Sequence, residues 1–451
     1  MQNKSSYNID ELINFTINSH PSIKASKQAV IASKAGVKSA MWNYFPTPKI
    51  SAQQTKDNVN GVTLSLEQPL WTGGKLSSAM DMAKANRTDS EAALEESAYT
   101  LTESLLNALK TYLNAQGNLD ALYEGQKQLQ ILEGMLSRRI AAGVSARADM
   151  DLLKARLYQM ETDISLAKIR KQTSLSQIEL LTGKRFNDGL NIEASRLHFD
   201  NNLNNVLKDV LNTHPTLFRY DAKIEYAKAE KKKAKSTLWP NLMLVGQKQI
   251  GSDSVYYDSP ADSTAVYLSL QASPGAGLSS FSEIEASEAK VMQLTQERVS
   301  KQQELVEKTM LAYNDYVSAL RRVGVQSQSV GSAQKVFASY TRLFLAGKRQ
   351  WLDLVNASRE LTQNEIAFSD IKATLAVSSY QVALLSGNVK ELEKLSMDRQ
   401  YKLKNISKET ELKALTKIDN NDVYDEPTFD SIMDGNASKK SEKHGEQNAT
   451  L

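Results

Sequence analysis

The sequence predicts a mainly α-helical chain with a small β part, built by duplication of one unit. Three observations predict this fold class. One sequence pattern recurs in register, long proline-free segments show a seven-residue apolar period, and short segments before them alternate apolar with polar residues. With 451 residues, a net charge of +3 and 41% hydrophobic residues, the chain could form one elongated fold or two or three ordinary domains.

The duplication is clearest at two glycine turns. The segment Arg138–Ser145 leads to Asp149, and the segment Arg342–Arg349 leads to Asp353, so the two copies are offset by 204 residues (353 − 149). Each segment has the composition of a tight turn between two helices. The same register holds along most of both halves, which chance matches would not do.

The repeat also predicts the domain organisation. Residues 7–183 form the first structural repeat and residues 214–387 the second, with an inter-repeat linker at 184–213. Residues 388–415 form a C-terminal segment. Residues 416–451 are rich in charge and poor in apolar side chains, and this composition predicts a disordered tail because it cannot bury a core.

Each repeat is predicted to contain a helix, a β-hairpin and two further helices. In the first repeat, Ile17–Tyr44 predicts the first helix, and Lys49–Gln54 and Val62–Glu67 alternate like the two strands of a hairpin. The proline-free segment Lys75–Ile140 predicts a helix of about 100 Å. Ala146–Leu181 predicts a shorter returning helix. We therefore expect the first and the returning helix to stack end to end beside the long one.

A coiled-coil seam follows the long helix of each repeat. In the first repeat, apolar or small residues recur every seven positions, with a second set four residues further on. The positions are Leu94, Leu101, Ala108, Ala115, Leu122, Leu129 and Leu136, joined by Ala98, Leu105, Tyr112 and Leu119. The second repeat shows the pattern more weakly, at Leu305, Ala312, Ala319, Ala333 and Tyr340, joined by Tyr316, Val323, Val330, Phe337 and Phe344.

Composition and motifs exclude several functional classes. The absence of cysteine excludes disulfides, thiolate catalysis and Cys-ligated metals. No metal-binding cluster, phosphate loop or nucleophile-and-base pair is visible, so we expect no catalytic residue, no cofactor, no metal and no enzyme activity. The run Lys231–Lys233 indicates a solvated helix face rather than a nucleic-acid site. The first residues open no apolar run, so a signal peptide is not expected in this sequence.

A membrane role would have to use the strands. No stretch of sequence approaches the roughly 20 apolar residues of a membrane-spanning helix. Four strands cannot lie in a bilayer as an open sheet, so such a role would demand closure with other copies. Five aromatic residues lie where strands meet helices, as an interfacial belt would require, although ordinary packing at a domain junction is the alternative. They are Trp42, Tyr44, Phe45, Trp71 and Trp239.

The repeat architecture resembles the TolC family of outer-membrane channel proteins. The order of helix, hairpin, long helix, glycine turn and returning helix ends in Leu-Leu-x-Gly twice, at Leu180–Gly183 and Leu384–Gly387, and the resemblance covers about residues 7–390. It implies a homotrimer with a 12-stranded outer-membrane β-barrel, four strands from each chain, continued by a long α-helical coiled-coil barrel. The linker and the C-terminal segment would then be equatorial.

The resemblance also implies location and partners. The protein is expected in the outer membrane, in contact with its lipid, and extending into the periplasm. It would dock with a periplasmic adaptor protein and an inner-membrane ABC-type transporter, and would export a protein or a small molecule. The segment Leu268–Ser280 resembles the branch that serves type I secretion of large adhesins, so secretion is favoured.

Two other functions remain open from the sequence. The first is the outer-membrane duct of a multidrug efflux pump. The second, from a different class, is a soluble periplasmic coiled-coil adaptor or scaffold. Adaptors interrupt their helical hairpin with a lipoyl-like β domain, and no such domain is visible in the sequence.

The resemblance assigns a periplasmic gate to the second glycine turn. Arg349 and Asp353 match the gating arginine and an acidic residue that lines the entrance, and Asp149 matches the partner of that arginine. Two positions depart from the family pattern. Asn356 replaces a second lining aspartate, and Phe344 replaces a tyrosine, so we expect a less acidic ring and a weaker latch. Alternatively, both aspartates cap or favour the first turn of the returning helix.

The same resemblance places both turns at the tip that meets the adaptor protein. The docking residues implied in the first turn are Arg138, Ala142, Gly143, Val144 and Ser145, and those in the second turn are Arg342, Ala346, Gly347 and Lys348.

Overall fold

A computed structural model describes most of the chain. It covers residues 6–54, 60–187, 189–193, 202–250, 262–272 and 279–389, all within the unit Met1–Ser396. The predicted C-terminal segment, apart from its first two residues, and the predicted tail lie outside the described residues. Part of the segment that resembles the adhesin-secretion branch lies outside them as well.

The two halves of the chain have the same order of elements, which confirms the predicted duplication. The first half contains β1 (Tyr7–Asn8), α1 (Ile9–Ser19), α2 (Pro21–Trp42), β2 (Thr47–Gln54), β3 (Asn60–Trp71), α3 (Lys75–Ala141) and α4 (Arg147–Thr182). The second half contains β4 (Ile192–Glu193), α5 (Leu203–Thr213), α6 (Pro215–Ser236), β5 (Asn241–Ile250), β6 (Asp262–Gln271), α7 (Ser280–Leu345) and α8 (Trp351–Leu385).

The predicted first helix is corrected to two helices. We expected one helix from Ile17, but α1 ends at Ser19 and α2 begins at Pro21, where proline fits because the first helical residue needs no N–H partner. His20 caps α2, and its Nδ1 accepts a hydrogen bond from the amide of Ser22 at 3.3 Å. Likewise α5 occupies the end of the segment 184–213, which the sequence had suggested only as a linker.

The strands form one four-stranded antiparallel sheet in the order β2-β3-β5-β6. The predicted hairpin is confirmed, and β3 continues beyond its predicted end to Trp71. The sheet has one apolar face and one polar face, because side chains alternate along each strand. The apolar face carries Ile50, Val62, Leu64, Leu66, Leu242, Leu244, Val266, Leu268 and Leu270, and the polar face carries Lys49, Ser65, Glu67, Gln247 and Gln249.

Two very long helices run away from the sheet. Helix α3 has 67 residues and α7 has 66, so each is about 100 Å long. The predicted seam of α3 is confirmed, since Leu105, Tyr112 and Leu136 are at most 2% exposed. The weaker seam of α7 is largely half-buried in the single chain. None of the described helices is long and apolar enough to cross a membrane.

The predicted end-to-end stacking is also confirmed. Helices α2 and α4 both pack along α3, and the hydroxyl of Ser19 at the end of α1 donates to the carbonyl of Thr182 at the end of α4, at 2.7 Å. The second half repeats this contact between Thr213 and Ser386, at 3.4 Å. The shared core around these junctions includes the fully buried Tyr112, whose hydroxyl donates to the Leu190 carbonyl at 2.8 Å.

Helices α3 and α8 approach each other closely at two glycines. A Cβ added to Gly117 would lie 2.7 Å from the Cβ of Ser369, and a Cβ on Gly125 would lie 3.1 Å from Cγ2 of Thr362. A contact of 2.7 Å essentially never occurs at a real Cβ atom, and a contact of 3.1 Å would require the neighbour to shift. Glycine is therefore the residue that lets the two halves of the chain pack against each other at these positions.

Candidate functional site

The two glycine turns have the same geometry. Gly143 and Gly347 have φ values of 74° and 71°, in the left-handed region that glycine adopts without strain. The residue after each glycine closes the turn. The amide of Val144 donates to the carbonyl of Arg139 at 2.9 Å, and the amide of Lys348 donates to that of Leu343 at 2.8 Å. Each turn therefore reverses the chain within a few residues.

Both turns lie at the same end of the molecule, on one apolar cluster. This tip core takes side chains from all four long helices and is largely closed to solvent. It consists of Leu129, Leu132 and Leu136 from α3, Leu153 from α4, Phe344 from α7, and Trp351, Leu354 and Val355 from α8. The tip is consequently a packed unit in which the first helical pair supports the second.

Arg139 connects the two turns. Its guanidinium carbon lies 4.7 Å from the centre of the Phe344 ring, and its Nη1 donates to the carbonyl of Phe344 at 3.3 Å. That carbonyl belongs to the last turn of α7, where a positive charge is favoured by the helix dipole. Its Nε also lies 3.4 Å from the hydroxyl of Ser145 in its own turn. Arg139 thus links the end of α3 to the end of α7.

We predict that Arg139→Ala loosens the tip without unfolding the chain. The variant loses one stacking contact and one charged hydrogen bond, each of about 1 kcal/mol. Because the chain has no cysteine, spin labels can be attached to cysteines introduced at Val144 and Lys348, and the distance between them measured by electron resonance. We expect a broader distance distribution in the variant.

Arg138→Ala is the matched control, because Arg138 is exposed at the neighbouring position. An equally narrow distribution in both variants would show that Arg139 does not hold the turns together.

Within the single chain, Arg349 is paired with Asp353 rather than with Asp149. Its Nη1 lies 3.2 Å from Oδ2 of Asp353, and its guanidinium carbon lies 4.5 Å from the ring centre of Tyr340. Both partners belong to its own helical pair. Both charged groups are about two-fifths exposed, so the pair contributes little to stability. A bond between Arg349 and Asp149 would require another arrangement of the helices and remains a prediction.

The two aspartates occupy the third residue of their helices. Asp149 and Asp353 follow the N-cap residues Ala146 and Gln350, so neither aspartate is itself the cap. Their position in the first turn is nevertheless favourable, since the positive end of the helix dipole lies there. The helix-dipole alternative therefore accounts for both aspartates in the single chain, and the capping alternative does not.

The remaining gate residues differ in exposure. Phe344 is only 2% exposed, and its ring lies 5.7 Å from the ring of Trp351 inside the tip core. Phe344 therefore packs inside the tip core and supports the second turn from below. Asn356 is exposed. It is the sixth residue of α8, three residues beyond Asp353. Asp353 and Asn356 are three residues apart, so they lie on the same side of the helix.

The predicted docking residues form the outer surface of the tip. All except Ser145, which is half-buried, are exposed: Arg138, Ala142, Gly143, Val144, Arg342, Ala346, Gly347 and Lys348. Val144 has 62% of its surface exposed. The surface is positively charged and presents small side chains, so another protein can approach the backbone of both turns.

The five aromatic residues lie at the junction of sheet and helices, as their sequence positions indicated. All are exposed by more than two-fifths of their surface, from Tyr44 at 41% to Trp42 at 65%. Trp71 and Trp239 contact each other edge to face at 6.2 Å, which brings the two halves together. Their packing is thus partial, and the membrane-belt interpretation remains a prediction.

A charged cavity that no sequence pattern predicts lies between α3, α6, α7 and α8. It has a volume of about 390 Å³ and is lined by Glu96, His214, Arg219 and Lys308, among others. Arg219 bonds Glu96 and Asp89, the latter at 3.1 Å. These residues come from distant parts of the chain, so no local motif signals the cavity. In the sequence, this region is marked only by the pair His214-Pro215, which matches His20-Pro21 of the first repeat.

His214 is kept neutral in this cavity. It is 7% exposed, and its Nδ1 accepts a hydrogen bond from the amide of Thr216 at 3.3 Å, so His214 caps α6 as His20 caps α2. The pKa of His214 is lowered to about 4, mainly by burial and also by the nearby charge of Lys308, while Glu96 opposes the shift. Burial also opposes ionisation of Glu96, but hydrogen bonds from Thr216 and Arg219 outweigh it and lower the pKa of Glu96.

Comparison with known families gives one clear match. The profile of the family described as "Outer membrane efflux protein" matches residues 12–184 and 206–388. The two matched ranges correspond to the two halves of the chain. Comparison with curated proteins finds no match.

Solved structures share the fold at low sequence identity. The CmeC outer membrane channel of Campylobacter jejuni is 15% identical, with a TM-score of 0.74 over 87% of this chain and 88% of that one. The outer membrane protein VceC of Vibrio cholerae is 14% identical, with a TM-score of 0.71 over 85% and 95%. The open state of the MtrE outer membrane channel of Neisseria gonorrhoeae is 15% identical, with a TM-score of 0.66 over 85% and 88%.

Proposed function

Because this chain belongs to the outer membrane efflux protein family, we propose that three copies of it form a channel through the outer membrane that continues into the periplasm. The observation that carries this proposal is the four-stranded sheet. One of its faces is apolar yet exposed, with Ile50 at 76%, Val266 at 72% and Leu270 at 69%. In water such a face would be costly, whereas in a bilayer it is the expected lipid-facing surface.

The open edges of the sheet support the trimer. Among the described strands of the single chain, β2 and β6 are each paired on one side only. A bilayer offers no hydrogen-bond partners to such edges, so they must pair with strands of other copies. Three copies would supply twelve strands in one barrel. The long helices α3 and α7 would then line up around the same axis as a helical tunnel.

The tip supports a role in a larger assembly. We infer that the exposed turns at Gly143 and Gly347 meet a periplasmic adaptor protein, which connects the channel to an inner-membrane ABC-type transporter. The turns are the exposed end of the helices remote from the sheet, and a channel anchored by its strands in one membrane would present them towards the other membrane.

The proposal has two forms, which differ in the cargo that the channel exports. We favour secretion of an adhesin-like protein, on the resemblance of the segment Leu268–Ser280, and retain efflux of small toxic compounds as the alternative. The test is deletion of the gene, followed by assays of surface adhesin and of sensitivity to dyes and detergents. Loss of adhesin alone supports secretion. Sensitivity without loss of adhesin supports efflux and contradicts secretion.

We further propose that the second turn is the gate. Three copies of Asp353 around an axis would form a carboxylate ring that favours cations. Arg349 lies one turn before Asp353 and could bond Asp149 of an adjacent helical pair in the trimer, which would resist opening. In the single chain, Asp353 and Tyr340 hold Arg349 at this end of α8.

We predict that Arg349→Ala and Asp149→Ala each raise the conductance of the reconstituted trimer. An exposed ion pair contributes about 0.2–1 kcal/mol, so removal of three such pairs weakens the closed state by roughly 0.6–3 kcal/mol and is expected to raise the open fraction about threefold or more. The measurement is single-channel current in planar bilayers. Arg342→Ala, which alters an exposed arginine before the second turn, is the control. Unchanged currents in both gate variants would contradict the latch.

A further inference from the structure

We propose that the apolar face of the sheet holds an anionic lipid, with its phosphate on Lys248 and an acyl chain in a groove over Gly246. This inference rests on the proposed function, because it takes the apolar face to be the lipid-facing surface of a membrane barrel. It adds a defined binding site to that surface.

The groove follows from the register of three strands. Leu66 of β3, Gly246 of β5 and Val266 of β6 stand in one row across the sheet. Gly246 has no side chain, and a Cβ placed there would meet nothing within 4 Å. The side chains of Leu66 and Val266, 51% and 72% exposed, rise on either side. The row therefore has a notch at its centre.

The notch is part of a larger depression. A groove of about 440 Å³ runs over the apolar face, lined in part by Ile50, Leu64, Leu66, Gly246 and Val266. Its volume lies in the range of roughly 300–1,000 Å³ that is typical of small-molecule sites. Its exposed surface is mostly apolar, although Lys248 and Thr264 also line it. A hydrocarbon chain fits such a surface, because it can bury its own surface against these side chains without leaving polar groups unpaired.

Lys248 determines which kind of lipid fits. It lies on the apolar face, in the row of Leu64 and Thr264. Its neighbours on that face of β5 are Gly246 and Ile250. It is exposed, and among the side chains that the structure describes no carboxylate pairs with it. A lysine in aliphatic surroundings is best satisfied by an anion that itself belongs to the bilayer, and a lipid phosphate supplies one.

The position of Lys248 along the strand agrees with this ligand. β5 ends at Ile250, so Lys248 lies about 7 Å from the strand end that is remote from the helices. A charge on the lipid face is tolerated near the membrane surface and disfavoured at its centre. Lys248 would therefore meet headgroups of the leaflet farther from the helices, while the acyl chain would run past Gly246 towards Leu244 and Leu242.

The test uses the trimer of the full chain in mild detergent, titrated with phosphatidylglycerol or phosphatidylcholine and analysed by native mass spectrometry. Lys248→Gln is expected to raise the Kd for phosphatidylglycerol about fivefold, the equivalent of ~1 kcal/mol per basic residue, with little change for phosphatidylcholine. Gly246→Leu fills the notch and is expected to weaken binding of both lipids.

Lys49→Gln is the matched control. Lys49 borders the groove, but its side chain lies on the opposite face of the sheet, where it bonds Glu67 at 2.7 Å. It is expected to leave both Kd values unchanged. An unchanged Kd in Lys248→Gln, or an equal loss in Lys49→Gln, would overturn the lipid site while the trimer in the same spectrum stands. Absence of a trimer from the unmutated chain would contradict the proposed function, and the lipid site with it.

Discussion

Gly117→Ala is expected to destabilise the chain by about 1–3 kcal/mol, although alanine is the better helix former. The new Cβ would lie 2.7 Å from the Cβ of Ser369, which the backbone of α8 holds in place. Rotation of a side chain cannot relieve that overlap, so α3 and α8 must move apart. The measurement is the free energy of unfolding by denaturant, together with the fraction of protein recovered as a trimer.

Gly134→Ala in the same helix is the matched control. A Cβ at Gly134 would meet nothing within 4 Å, so the substitution should stabilise α3 by about 0.5–1 kcal/mol. The two variants are thus expected to change stability in opposite directions. The double variant Gly117→Ala with Ser369→Gly should recover part of the loss. Equal effects at Gly117 and Gly134 would contradict the close approach of the two helices.

His214 is expected to make the protein sensitive to mild acid. Its pKa is lowered to about 4 in the folded chain, against about 6.5 in an unfolded one. Between these values the unfolded chain binds more protons, so stability falls as the pH falls through this window and is fully retained above pH ~6.5. The expected loss between pH 7 and pH 5 is about 2 kcal/mol per chain. Unfolding by denaturant at the two pH values measures it.

His214→Asn removes the titrating group and leaves a side chain that can still cap α6. We expect the loss between pH 7 and pH 5 to be about 2 kcal/mol smaller in this variant. His20→Asn is the control at the matching position of the first repeat, where the histidine is less buried. A wild-type pH dependence in His214→Asn would show that other groups cause the acid sensitivity. Measurement at pH 5 keeps Glu96, whose pKa is lowered, outside the window.

The fold could be predicted where the apolar residues of the sequence recur at regular intervals. The seven-residue period located Tyr112 and Leu136 in the seam of α3, and both are buried. Alternation located the hairpin, and the repeat related the second half to the first. Helix α5 was missed because its eleven residues are too few to show a convincing period. Its equivalence to α1 becomes visible only when both are seen to precede a His-Pro pair.

The candidate site could be predicted only in part, because its contacts cross between distant segments. The glycine turns were visible as local patterns, and their left-handed geometry follows from the residue type. The contact of Arg139 with Phe344 joins residues about two hundred positions apart. The pairing of Arg349 with Asp353 is local, yet it competes with the expected partner Asp149. The sequence does not show which of these two carboxylates Arg349 bonds, because the choice depends on how the helices are arranged.

The location and the mass of the protein in cells decide whether three copies of this chain form an outer-membrane channel. Membranes from cells that express the full chain are separated by density, and the outer-membrane fraction is extracted with detergent and analysed for mass. We expect a trimer in that fraction, about three times the 50.0 kDa of one chain. A monomer or dimer that stays in solution without detergent would contradict the channel and support a soluble scaffold.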